Sequence, residues 1–250
     1  MFSTIILLTL SSAVLAEESK DIGLSYQFDY HSRWLSKGAY GYGKQGAVFN
    51  TLDVDLWGSG FGIKITHRNA TASGYVDKQR IDWRPYFKGS LFEGNPYQTK
   101  FDISAGYEHY YGLARHKANT TWEWIFDFSW PNLLPCGVVP QYICHYETPV
   151  SGGDVNRKVA GWVHRFILGY DLDVADLPSP LRLTSEVAYT DGLGRANADW
   201  SYACFGISTN LKINKNLTFT PGIYQQISME DSVNTDKDIT YCIMSVKYKF

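Results

Sequence analysis

Few residues of this chain stand at spacings that could do chemistry. Asp53 and Asp55 lie two apart, which suits a divalent cation or, on a strand, puts both carboxylates on one face. Gly41, Gly43 and Gly46 match the glycine fingerprint of a dinucleotide site. That fingerprint needs a helix directly after the glycines, so that its N-terminus holds the pyrophosphate. Here residues 47–57 follow, and they alternate like a strand, so the nucleotide reading is rejected. Serine catalysis needs a serine, a histidine and an orienting carboxylate within reach. The histidines, His31, His67, His109, His116, His145 and His164, fall mostly at strand ends or in loops, and none stands beside a serine in a recognisable pattern. Cys144 and His145 lack the second upstream cysteine of a haem attachment motif. Neither a metal nor a cofactor is expected. A net charge of −2 argues against a nucleic-acid partner, because phosphate backbones require a basic surface.

The remaining charged residues take their meaning from the strands that carry them. Ile22, Leu24, Tyr26, Phe28 and Tyr30 alternate with Gly23, Ser25, Gln27 and Asp29, the period of a strand with one apolar and one polar face. The pattern recurs down the chain. Trp122, Trp124, Phe126, Phe128 and Trp130 alternate with Glu123, Ile125, Asp127 and Ser129. In water such an aromatic face would need a second sheet to bury it, whereas in a bilayer it can face lipid. Collecting the polar partners gives one set expected to share an inner face and line a polar lumen. Its acids are Asp29, Asp53, Asp55, Asp82, Asp102, Glu108, Glu123, Asp127, Asp171 and Glu186. Its bases are Lys64, Arg84, Lys88, Arg165, Arg182, Lys247 and Lys249. Asp53 and Asp55 then read as successive lumen positions rather than metal ligands. Charges of both signs are expected to pair across the lumen and partly plug it, with acids in slight excess favouring cations.

The positioning elements number about twelve strands, with Pro85 a blemish in the fourth and residues 138–150 the least regular. Connections after even strands are mostly short (58–60, 93–96, 131–137, 174–180, 213–215), and those after odd strands mostly longer (37–46, 68–80, 112–120, 149–158, 192–199, 228–237). This is the asymmetry of a closed, antiparallel, up-and-down transmembrane β-barrel, with short periplasmic turns, longer outer loops and both termini periplasmic. Aromatics make up 16% of the chain and charged residues only 19%, which fits a surface that meets lipid and headgroups. Residues 1–16 read as a secretory signal peptide, with an apolar core from Ile5 to Leu10 and small residues up to Ala16. Residues 17–250 are then a single barrel domain. No segment reaches the ~20 apolar residues of a membrane helix, so entry into a membrane requires a closed barrel. Cys136 and Cys144 are close enough in sequence for a disulfide across a turn, whereas Cys204 and Cys242 are expected to be unpaired.

The chain ends on alternating Cys242, Met244, Val246, Tyr248 and Phe250. Val246, Tyr248 and Phe250 resemble the C-terminal signal of bacterial outer-membrane barrels, whose last strand closes the sheet. The aromatic strand from Tyr26 to Leu35, the glycine-rich loop after it, and the stretch from Leu52 to Phe61 resemble the TorF family of putative Gram-negative porins. The resemblance implies a cell outer-membrane channel for passive diffusion of small solutes, with outer-membrane lipid around it and the barrel-assembly machinery as its partner during insertion. The alternatives are an outer-membrane barrel enzyme acting on lipids and a secreted β-sandwich that binds carbohydrate.

Overall fold

Period-two alternation requires a sheet with chemically opposite faces, and a bilayer requires that sheet to have no edges. The computed structural model meets both conditions. It describes residues 21–72, 79–110, 120–150, 160–234 and 238–250. The expected signal segment 1–16 and the domain boundary after it lie outside them. Twelve strands form the wall: β1 Gly23–His31, β2 Ala47–Asp55, β3 Phe61–Ala70, β4 Gln79–Leu91, β5 Thr99–Tyr110, β6 Thr121–Ser129, β7 Val139–Pro149, β8 Gly161–Leu172, β9 Leu181–Asp191, β10 Asp199–Thr209, β11 Leu217–Ser228 and β12 Ile239–Lys249. Their lengths of 9 to 13 residues suit a tilted crossing of a bilayer, which takes ~9–11 residues. Among the described residues the only helical turn is the short 3-10 turn Leu193–Arg195.

Each strand pairs antiparallel with the next, from β1 with β2 through to β11 with β12. β12 then returns to β1, with Tyr248 opposite Tyr26 and Val246 opposite Phe28. Beyond the last pair, the Phe250 N–H donates to the Leu24 carbonyl at 3.0 Å. The wall is therefore a closed all-β barrel, and the sandwich alternative, which leaves edge strands, is excluded. The start of β1 and the end of β12 lie at the same end, with the short connections.

Side chains sort by parity. Ion pairs between strands that are not neighbours, such as Lys64 on β3 with Asp102 on β5 at 3.4 Å, identify the concave side. Trp122, Trp124, Phe166, Phe205, Ile223, Val246 and Tyr248 carry the opposite parity and are exposed. The strand register puts Phe126 and Phe128 on that same outward face, opposite Cys144 and Tyr142.

Pro85 interrupts β4 as expected: proline has no N–H to donate, and the ladder to β5 lapses at Arg84 and Pro85 while Pro85 still pairs with Ile63. Two expectations change at this level. Cys136 and Cys144 are both free thiols. Cys136 is exposed in a turn, whereas Cys144 is buried within β7 with its Sγ 3.5 Å from His164 Nδ1, so the two do not bridge. Finally, the 37–46 segment is not an outer loop: it folds into the barrel.

Candidate functional site: a loop-crossed, charged lumen

The inward positions of β3 to β7 build a continuous ladder of opposite charges. Arg68 Nη2 lies 2.7 Å from Asp82, and Arg80 bonds both Asp82 and Glu108 at 2.7 Å. Arg84 lies 3.5 Å from Glu108 and also bonds Glu123. His145 Nδ1 meets the other oxygen of Glu123 at 3.0 Å. Alternating signs make burial tolerable here, since an isolated buried charge would be very costly. Burial is nearly complete: Asp82 is 1% exposed, Glu108 2% and Glu123 4%. Towards the short-turn end the charges are wetter. Lys88 bonds Asp55 at 2.8 Å with its side chain 44% exposed, and Arg182 bonds Asp171, 62% exposed, at 3.1 Å. A cavity of about 480 Å³ opens at that end, with Lys88, Ser90, Lys100, Asp102, Asp127 and Gln141 among its lining residues.

What crosses the lumen towards the other end is the connection between β1 and β2. The hairpin Leu35–Ser36 with Ala39–Tyr40 turns inward and touches walls on opposite sides. Trp34, 3% exposed, packs on Tyr42 and Phe49 with ring centroids 4.4 and 5.7 Å away, and the guanidiniums of Arg68 and Arg80 stand 5.4 and 5.3 Å over its ring. Lys37 Nζ crosses to Glu123 at 2.8 Å and to Glu147. Burial alone would lower its pKa, but the two carboxylates outweigh that and hold it well above the ordinary lysine range, so the ammonium stays charged. The Gly38 carbonyl accepts from Gln226 Nε2 on β11 at 2.7 Å. Gly38 has φ +90°, and a Cβ there would run into the Tyr202 ring, so glycine is required twice over. Gly41 packs directly against the Trp34 ring. The glycines that imitate a nucleotide fingerprint therefore serve a tight inward fold.

The wall opposite the ladder is of different character. Tyr202, Cys204 and Ala188 are buried together, and Tyr224 and Tyr241, stacked on each other at a ring-centroid distance of 5.3 Å, pack against them. Arg165 makes a bidentate pair with Glu186, at 2.6 and 2.8 Å, at the border of the two regions.

The expected lumen residues fall as follows. Asp82, Arg84, Glu108 and Glu123 lie in the ladder. Lys64 with Asp102, Lys88 with Asp55, Arg165 with Glu186, and Arg182 with Asp171 form separate pairs. Asp29 accepts from Gln27, Asp53 from the Tyr86 hydroxyl, and Asp127 from Gln141. Lys247 and Lys249 stand opposite Gln27 and Ser25. Sequence reasoning missed Lys37, Arg68, Arg80, His145 and Glu147. Extending the parity of Thr66 and Asp82 by one step would have found Arg68 and Arg80; nothing local marks Lys37. As for hydrolytic chemistry, His145 has its carboxylate, but among the described residues its Nε2 bonds no hydroxyl or thiol. The described residues also contain no group of three or more metal-ligating side chains.

No family model matches the chain, and no curated protein matches its sequence. Solved structures do match its shape. The KdgM porin covers 90% of this chain and 99% of its own at 12% identity, with a TM-score of 0.54. The NanC porin covers 91% and 100% at 10% identity, TM-score 0.52. The COG4313 outer membrane channel from Pseudomonas putida F1 covers 95% and 100% at 9% identity, TM-score 0.51. At such identities the likeness is one of fold: a closed twelve-stranded barrel with the architecture of bacterial outer-membrane porins. The resemblance to the TorF family rests on the residues quoted above alone.

Proposed function

We propose that the chain is an outer-membrane channel for passive diffusion of small polar solutes. The observation that carries this reading is the closed barrel of porin architecture with charges and tyrosines on its inner face; the inward hairpin that crosses it supports a narrow path. The exposed aromatic and aliphatic parity of the strands suits outer-membrane lipid, and the aromatic end of β12 suits insertion by the barrel-assembly machinery, with both termini periplasmic. Another structure of the KdgM porin holds disordered oligogalacturonate. In this chain the lumen guanidiniums of Arg68, Arg80, Arg84, Arg165 and Arg182 all have carboxylate partners, so the cationic surface that could meet acidic sugars comes down to lysines such as Lys247 and Lys249 at the short-turn end. Neutral and cationic solutes fit better.

The test is reconstitution. Protein whose folded state is established by a heat-modifiable gel shift is placed in planar bilayers for conductance and in liposomes for swelling by neutral sugars of rising size. Discrete conductance steps and a sharp, low size cut-off are expected. Folded protein that adds nothing to the conductance of a bare bilayer would refute the channel.

A further inference from the structure

Glu123 on β6 and Glu147 on β7 are direct cross-strand partners, both on the inward face. Like charges in that position destabilise a sheet, and a cation between them relieves the repulsion. The cation here comes from neither strand. It is the ammonium of Lys37, delivered by the inward hairpin from 110 residues away in the sequence. Glu123 has other support, from Arg84 and His145. Among the described residues Glu147 has Lys37 as its one ion partner. Glu147 is also the wetter carboxylate, its side chain 13% exposed against 4% for Glu123, so the pair opens to solvent through it.

We propose that Glu123 and Glu147 form an ammonium-binding site, that Lys37 occupies it as a tethered substitute, and that the channel thereby selects small cationic amines. The last clause rests on the channel reading above. A primary amine offers the same three donors and the same charge as Lys37, so it can take over both carboxylates without reorganising the wall. A neutral solute cannot, and an acidic solute meets two carboxylates. Exchange of the tethered ammonium for a free one releases the Lys37 side chain from the β6–β7 wall, while the Gly38 carbonyl holds the tip of the hairpin to β11 and Trp34 holds its base. The tyrosine wall opposite adds ring faces, which attract cations.

The experiment uses the full folded barrel in detergent and the variant Lys37→Gln, with 1,4-diaminobutane as probe and 1,4-butanediol at matched ionic strength as control. Millimolar diamine should raise the unfolding midpoint of Lys37→Gln by several degrees and that of the wild type far less, because the wild-type site is filled. Adding Glu147→Gln to the variant should abolish the response. A Lys37→Gln protein no more responsive than wild type, or a double variant that responds as strongly as Lys37→Gln, overturns the site. If Lys37→Gln does not fold unaided, refolding is compared in diamine and in diol: rescue by the diamine alone supports the site, and equal failure overturns it. In planar bilayers the variant should conduct more than wild type, with its reversal potential shifted towards cations. Conductance by both proteins without a diamine response overturns the ammonium site and leaves the channel. A diamine response without conductance by either protein overturns the channel and the solute selection with it.

Discussion

Replacing Trp34 with alanine should undock the hairpin while leaving the barrel intact. Trp34 is 3% exposed, yet it belongs to no barrel strand; it meets the wall through Phe49, the guanidiniums of Arg68 and Arg80 and the buried cluster that includes Ala47 and Ala70, and packs on Tyr42 and Gly41 of its own segment. Truncating a buried tryptophan to alanine costs ~3–5 kcal/mol. The two cation–π contacts, worth roughly 0.5–1 kcal/mol each, lie within that figure. The loss falls almost wholly on the docked state of the hairpin, because the ladder Arg68–Asp82–Arg80–Glu108 keeps its internal bonds. At 1.4 kcal/mol per decade, even ~3 kcal/mol shifts the docking equilibrium by about 100-fold. The assay is limited trypsin digestion of the folded barrel. In the wild type the Lys37 side chain is 10% exposed and engaged by two carboxylates, so cleavage after it should be slow. In Trp34→Ala cleavage should be faster by one to two decades, and mean conductance should rise with larger current fluctuations. A variant that keeps the heat-modifiable shift, yet shows wild-type protection at Lys37 and wild-type conductance, would refute the view that Trp34 holds this plug.

Other expectations follow from the same geometry. Phe126→Arg, on the outward face of β6, should destabilise the barrel in lipid by roughly 2–4 kcal/mol if the residue lies near the midplane, as read from urea unfolding in vesicles; no loss would count against a lipid-facing position. Deleting residues 248–250 removes the Tyr248 pairings with Tyr26 and Leu217 and the Phe250 bond to Leu24, so assembly, read by the gel shift, should suffer more than from deleting residues 230–232. Asp53→Asn with Asp55→Asn removes the carboxylate partner of Lys88 and leaves the Tyr86 hydroxyl a neutral amide oxygen to donate to. The reversal potential should move towards anions, and an unchanged potential would show that these carboxylates do not set the field.

The sequence by itself determined the wall. Period two is a backbone property, so Trp122 to Phe128 could be sorted from Glu123 and Asp127 without coordinates, and a long alternating chain with short and long connections in turn leaves few folds but a closed barrel. Charged lumen positions in the middle of strands were legible for the same reason. Where alternation faded, at Arg68, Arg80 and Glu147, membership of the inner face was missed, because parity cannot be carried through a stretch read as loop or as irregular strand. Pairs such as Asp171 with Arg182 follow from the register of neighbouring strands, but others were decided by curvature: Arg84 and Glu123 stand on strands separated by another, and closure brings them into contact. The hairpin is the extreme case. Its glycines and aromatics read equally well as a flexible outer loop, and nothing local says that Lys37 has two carboxylates waiting across the lumen. Those partners lie in β6 and β7, on the far side of a ring that exists only once β12 has paired with β1.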